Sequence, residues 1–413
     1  MTKATHYLVV TYPSWAHVRT QIALTNSLLQ LNPDLHVTML IPAKRSKAVA
    51  LEMAQYDAVS GDRLRTIHYG TDEQVEVGGM WNPHGGFREE CQAQLYPFTD
   101  AIVKRESMTD PITGEQVIPH DLPYDIIISD VTLIIWSNKV KQQVSELTGK
   151  APRLINSCPY DSAFLLFFLP LNGDYHRRLA LAADGAAGDS KKFQELAAEH
   201  ILNNSDIKDD VPGLWPVHFY ETCPVAKESM LNFGPMVARM IGLFHSYTDA
   251  FIVSWPKGLG EEAQADLDRH FKHVYQVGPQ LPPVVRDEWS VEAKQGECKE
   301  YLDSSPERSV IYISFGSVLY APSLDQIGTL LDVFEEIGSR YIIAEGNAPA
   351  EIKTMLRSRV GQGLDKGLFV TWAPQRAILS HKATKLFVTH GGSNSAMEAM
   401  LFKVPMIQWP SSR

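Results

Sequence analysis

The chain has 413 residues, a formal charge of -10, 44% hydrophobic and 21% charged residues; these are ordinary values for a soluble globular protein of two or three domains at ~150 residues each. The acidic balance, with no clustered basic face, excludes a nucleic-acid binder that works through phosphate contacts and leaves small molecules as the expected partners. The longest apolar run, Ala163 to Leu171, contains Pro170 and falls short of the ~20 residues that cross a bilayer, so no transmembrane segment is expected. The opening stretch MTKATHYLVVTYP holds too short an apolar run for a signal-peptide core. Cys91, Cys158, Cys223 and Cys298 form no CxxC pair, so free thiols and a cytoplasmic location are expected.

His6 to Tyr12 reads as a strand closed by Pro13, after which Val18, Ile22 and Leu29 recur near helical spacing until Asn32-Pro33-Asp34. His36 to Ile41 and Leu64 to Tyr69 are two further strands, with a polar helix before Gly61. This alternation implies a parallel sheet with crossover helices. It puts His17, in the first strand-to-helix loop, at the carboxyl edge where open α/β sheets bind ligands. A helical pattern from about Phe87 to Glu106 leads to a strand, Tyr124 to Asp130, that ends in a carboxylate at the same edge. Leu133, Trp136, Val140, Val144 and Leu147 then mark a helix stopped by Gly149, and Arg153 to Ser157 is the next strand.

From Pro159 to about Thr248 the pattern is irregular, with an Ala/Gly/Asp-rich run and a Pro/Trp loop; such insertions on a binding edge form walls of substrate pockets. Phe251 to Trp255 and His273 to Val277 are strands again, and the Pro-rich stretch after Leu281 reads as an interdomain linker. The alternation then restarts: a strand from Val310 to Phe315, a helix from the Ser323 cap to Ile337, and strands Tyr341 to Ala344, Leu368 to Thr371 and Leu386 to Thr389. The expected architecture is α/β, two doubly wound Rossmann-like domains facing each other across a cleft. The first covers 1–281, with an acceptor region at about 159–248; a linker covers 282–295 and the second domain 296–413.

The stretch Trp372 to Pro410 carries the densest chemistry. A strand runs into His390-Gly391-Gly392 and then a helix bearing Asn394, Ser395 and Glu398, and backbone N–H groups converging at such a helix start form an anion site. A nucleoside diphosphate needs a flat face for its base, acceptors for its ribose and donors for its phosphates. Trp372, Glu398 and His390 with the nearby amides supply those types. Taken singly, Trp372 reads as core and Glu398 as a favourable helix-start carboxylate; their spacing carries the functional reading. His17 and Asp130 form a second pair. A neutral imidazole is the usual base for a hydroxyl, and a carboxylate on its far nitrogen fixes the tautomer and stabilises the imidazolium.

Trp372, Pro374, Gln375, His381, His390, Gly391, Gly392, Asn394, Ser395, Glu398, Pro405 and Pro410 stand with the spacing of a known donor signature. The stretch resembles that of the UDP-dependent glycosyltransferases of the inverting, two-Rossmann-domain (GT-B) type. The resemblance implies Trp372 and Gln375 at the nucleoside, Glu398 at the ribose, and His390, Asn394 and Ser395 with the turn at Gly392 at the diphosphate. Ser314-Phe315-Gly316-Ser317 is similar to the family's first turn of this domain, so Ser317 is expected against the donor. Tyr12 to Val18 resembles the loop whose His is the general base, with Ala16 where the family usually has Gly, and Ile128-Ser129-Asp130 resembles the strand end carrying its partner.

The implied activity is inverting transfer of a sugar, glucose foremost, from a UDP-sugar co-substrate to a hydroxyl of a small lipophilic acceptor, with no metal and no other cofactor. Asp266-Leu267-Asp268 matches the DxD of metal-dependent glycosyltransferases but reads as a solvated helix face. Gly361-Gln362-Gly363 reads as a turn. In the family an Asp-Gln pair that binds the sugar follows Trp-Pro, whereas here only three residues follow Pro410. The second domain is therefore expected to be incomplete, with an open edge that favours self-association. That expectation keeps a competing reading open: a non-catalytic nucleotide-sugar or small-molecule binding protein, or an inactive remnant.

Overall fold

Short apolar runs bounded by turn residues fall into strands. In the first half these are β1 (Thr5–Val10), β2 (Leu35–Pro42), β3 (Leu64–Tyr69), a two-residue hairpin of β4 (Met108–Thr109) and β5 (Gln116–Val117), β6 (Ile126–Asp130), β7 (Arg153–Cys158), a second short hairpin of β8 (Lys208–Asp209) and β9 (Val217–His218), β10 (Ala250–Val253) and β11 (Val274–Gln276). The computed structural model describes residues 4–56, 61–70, 93–168, 173–187, 189–197, 199, 208–209, 212–213, 217–218, 243–284, 288–289, 296–316, 322–360 and 367–409. The chain divides into two compact units, Met1–Pro282 and Pro283–Arg413.

The large sheet of the first unit has the order β11-β10-β7-β6-β1-β2-β3, with every neighbouring pair parallel. Both faces are covered, which is why the strands read as near-continuous apolar runs rather than alternating ones. Leu8, Val10, Ile127, Leu154 and Phe251 pack with Trp136 and Val140 on one side. Val9, Val37, Ile128 and Ile252 pack with Val18 and Ile22 on the other. The chain winds outward through β1, β2 and β3 and then returns to place β6 on the opposite side of β1. Successive connections therefore diverge at β1 and β6, and the crevice this leaves lies at their carboxyl ends.

Several local expectations are corrected. The Ala-rich run, Leu181 to Ser190, is expected to be irregular but is helical through Ala186, at the end of the helix Gly173–Ala186; the helix Ser190–Ala197 follows it, where the sequence predicts a charged helix near Lys191 to His200. Alanine is the strongest helix former, and Gly185, which interrupts the run, is where a Cβ would come within 2.9 Å of Leu196; the missing side chain permits the close approach of the two helices. The helix Ile134–Thr148 ends at Gly149 in the left-handed conformation, but Leu147, assigned to its apolar stripe, is exposed. The described part of the pattern from Phe87 to Glu106 is helical from 93 to Lys104, with a 3-10 turn, Tyr96–Phe98, inside it. Asp266 is buried rather than solvated, paired with Arg269 at 2.9 Å on its own helix.

The second unit has β12 (Val310–Ser314), β13 (Arg340–Ala344), β14 (Gly367–Val370), β15 (Thr384–Thr389) and β16 (Met406–Gln408), ordered β14-β13-β12-β15-β16 and parallel throughout. Its switch point falls between β12 and β15. The helix Leu324–Glu336 opens with a capping box, Ser323 and Gln326 each bonding the other's backbone N–H. The Pro-rich stretch expected to be an interdomain linker is tied to this unit where it is described. Buried Arg376 donates to Glu288 at 2.8 Å and to the carbonyl of Pro283 at 3.1 Å, so the ion pair anchors the segment that enters the second unit.

Candidate active site

His17 reaches its place through local geometry at the end of β1. Ser14 is extended, at φ -113 and ψ 137, and the helix Trp15–Leu31 starts immediately after it, so His17 lies in the first turn. β6 is the strand beside β1, with Val10 opposite Ser129, which sets Asp130 beneath that turn. His17 Nδ1 lies 2.6 Å from Asp130 Oδ2, with both side chains buried. The other carboxylate oxygen, Oδ1, accepts from the Thr132 backbone N–H at 2.9 Å and from its hydroxyl at 2.7 Å. A carboxylate pinned by three donors makes Nδ1 the donating nitrogen, which leaves the lone pair of the neutral ring on Nε2.

That lone pair already has a partner: the hydroxyl of Tyr160 stands 2.8 Å from Nε2. The two rings meet edge to face with centroids 5.3 Å apart, and Tyr12 lies against His17 at 5.1 Å. Sequence reasoning missed Tyr160. The signal was available only through topology: β7 is the next strand after β6, Ser157 pairs with Asp130, and Tyr160 follows three residues later at the same sheet edge.

In the second unit the end of β12 and the end of β15 meet around one ring. Gly316, at φ +83, follows β12, and a Cβ there would fall 2.7 Å from ring atoms of His390, which follows β15. A Cβ at Gly392 would fall 2.4 Å from His390 Nε2. The imidazole is thus seated against two glycines, and Gly391, at φ +78, supplies the left-handed turn between His390 and Gly392. Burial pushes the His390 imidazole below its ordinary value, against a hydrogen bond to the Ser314 carbonyl that pulls it up. The ring is therefore biased toward its neutral form until an anion approaches.

The helix Ser393–Leu401 starts directly after this turn, and its N-cap, Gly392, offers no side-chain cap to the amides of the first turn. Among the described residues, Asn394 has both side-chain polar atoms buried and no hydrogen-bond partner. A buried polar group left unmet costs about 1–3 kcal/mol, so the amide is suited to a partner that no described residue supplies. An anion at a helix start, with a side-chain N–H beside it, fits that position.

Gln375, Ser395 and Glu398 come together at one place in the second unit. Gln375 Nε2 donates to Glu398 Oε2 at 2.8 Å and to Ser395 Oγ at 3.1 Å, while its carbonyl accepts from the Tyr312 hydroxyl at 3.2 Å. The amide thus spends its groups on the chain and positions Glu398, which is buried. Tyr312 was not singled out from the sequence because it reads as an ordinary strand aromatic; it is buried in β12, stacked on Phe387 at 4.8 Å. Trp372 is 59% exposed, an open flat face rather than a core residue. Ser317 and Pro410 lie outside the described residues, as do Gly361, Gln362 and Gly363. Among the described residues no group of three or more His, Cys, Asp or Glu is arranged to hold a metal ion, and no helix is long and apolar enough to cross a membrane.

Comparisons with known proteins identify the fold and the family. The family described as "UDP-glucoronosyl and UDP-glucosyl transferase" matches residues 289–411. The chain is 33% identical over 418 residues to UDP-glycosyltransferase 84B1 of Arabidopsis thaliana, covering 98% of this chain and 79% of that protein. It is 25% identical over 423 residues to a flavonol 3-O-glucosyltransferase of the same plant, covering 99% and 81%. The crystal structure of Medicago truncatula UGT71G1 complexed with UDP-glucose superimposes with a TM-score of 0.68 at 18% identity, over 98% of this chain and 80% of that one; this likeness establishes the GT-B fold. The 33% identity, sustained over most of both proteins, establishes more than the fold: the chain belongs to the UDP-glucuronosyl and UDP-glucosyl transferase family.

Proposed function

We propose that this member of the family transfers glucose from UDP-glucose, with inversion, to a hydroxyl of a small lipophilic acceptor, using His17 as the base. The observation that carries the reading is the 2.6 Å bond from His17 to an Asp130 carboxylate whose remaining oxygen is locked by Thr132. That arrangement holds Nε2 as the basic nitrogen and stabilises the imidazolium once it forms. The acceptor gives its hydroxyl proton to Nε2, its oxygen bonds to the anomeric carbon, the bond from that carbon to the β-phosphate oxygen breaks, and UDP leaves. His390, Asn394 and the first amides of Ser393–Leu401 take up the diphosphate charge, which grows as the bond breaks. Trp372 covers the uracil, and Glu398, oriented by Gln375, accepts from the ribose.

The donor and acceptor classes are supported by relatives: one is a flavonol 3-O-glucosyltransferase, and a structural neighbour was crystallised with UDP-glucose. A cytosolic setting is supported by Cys158, a buried free thiol. The test is UDP release by the purified 413-residue chain supplied with UDP-glucose and 2-naphthol. Release that requires both compounds is the expected result. Nucleotide binding without release would favour a binding protein over an enzyme.

A further inference from the structure

If His17 is the base, and the inference rests on that reading, its reactive nitrogen is occupied by a side chain of the protein itself. A ring nitrogen presents one in-plane lone pair, and Tyr160 holds it at 2.8 Å. An acceptor oxygen must come within ~2.6–3.2 Å of the same nitrogen to hand over its proton. Two oxygens do not share that position. What occupies it is a phenol, set edge to face against the imidazole at 5.3 Å, with the Tyr12 ring at 5.1 Å from the same imidazole. Tyr160 itself is half-buried and lies in a bend between β7 and the helix Ser162–Phe168.

We propose that Tyr160 is a specificity-determining residue whose phenol stands in for the acceptor hydroxyl. It keeps water from the base of an enzyme that must not hydrolyse its donor, and it yields to an acceptor that brings both an O–H donor and an aromatic ring of its own. Phenols are then better acceptors than aliphatic alcohols of similar size, because only they replace the ring contact as well as the hydrogen bond. No bond is made or broken at Tyr160; the proton still passes from the acceptor to Nε2.

The experiment compares the wild-type chain with Tyr160→Phe, His17→Ala and the double variant. It reads UDP-glucose hydrolysis without acceptor, 2-naphthol transfer kinetics, and the histidine ring nitrogens by long-range proton–nitrogen NMR. Phe keeps the ring and removes the O–H. Hydrolysis should rise and the acceptor KM should fall, each by about 2- to 10-fold, the range of one neutral hydrogen bond. Both gains should vanish in the double variant, and the Nε2 resonance of Tyr160→Phe should move toward that of an unbonded nitrogen. A tenfold fall in kcat at unchanged KM would mean that the phenol relays the proton, which overturns displacement. Unchanged kinetics with an unchanged Nε2 resonance would overturn the contact itself. If His17→Ala alone keeps full transfer, the base assignment fails instead, and the NMR arm still decides whether Tyr160 caps that nitrogen.

Discussion

His17→Ala is expected to lower glucosyl transfer by roughly 10²–10⁴-fold, the contribution of a positioned base, while leaving the affinity for UDP within about twofold of wild type. The split follows from where the side chain sits. Its partners are Asp130 and Tyr160, both in the first unit, whereas the groups assigned to the nucleotide belong to the second. A change confined to kcat and kcat/KM, with UDP binding by calorimetry preserved, is the signature of an interaction made at the reacting hydroxyl. Loss of UDP binding in parallel with activity would instead mean that the effect of the substitution is not confined to the first unit.

Gly392→Ala should weaken UDP binding by roughly 10- to 100-fold, about the loss of one hydrogen bond to a charged group. Gly392 has φ -58, a conformation open to any residue, so the cost does not come from backbone strain. It comes from the ring: the new methyl carbon would stand 2.4 Å from His390 Nε2, and Gly316 already bounds the same imidazole. His390 must leave its seat and its bond to the Ser314 carbonyl, or the helix that begins at Ser393 must shift, and either movement breaks the anion site. Gly328→Ala is the control, since a Cβ there meets open space and UDP affinity should not change. Equal affinity in wild type and Gly392→Ala would remove His390 and the first helical turn from the account of the diphosphate.

The α/β architecture was legible because parallel strands buried on both faces leave strong apolar runs, and because the runs ending at Tyr12, Asp130, Phe315 and Thr389 are each followed by a turn and a helix. The placement of His17 near Asp130 was legible for the same reason: both stand at strand ends on one sheet edge. Tyr160 was not, because a tyrosine in a loop carries no pattern, and only the pairing of β7 with β6 brings it to the imidazole. Gln375 was legible as a position but not as a side chain already engaged, since its partners Tyr312, Ser395 and Glu398 come from three separate elements. The helix Gly173–Ala186 was not legible because Gly and Asp interrupt its alanines, while the close contact of Gly185 with Leu196 is a tertiary fact. Asp266 was misread because pairing with Arg269 and packing bury a carboxylate that composition assigns to solvent.

The anomeric configuration of the product tests the central claim most directly. A base that deprotonates the acceptor for one in-line displacement inverts the sugar carbon, so UDP-α-glucose and 2-naphthol should give the β-glucoside alone by proton NMR of the first turnover products. The α-glucoside would contradict the account, because retention requires a second displacement that His17 and Asp130 do not provide.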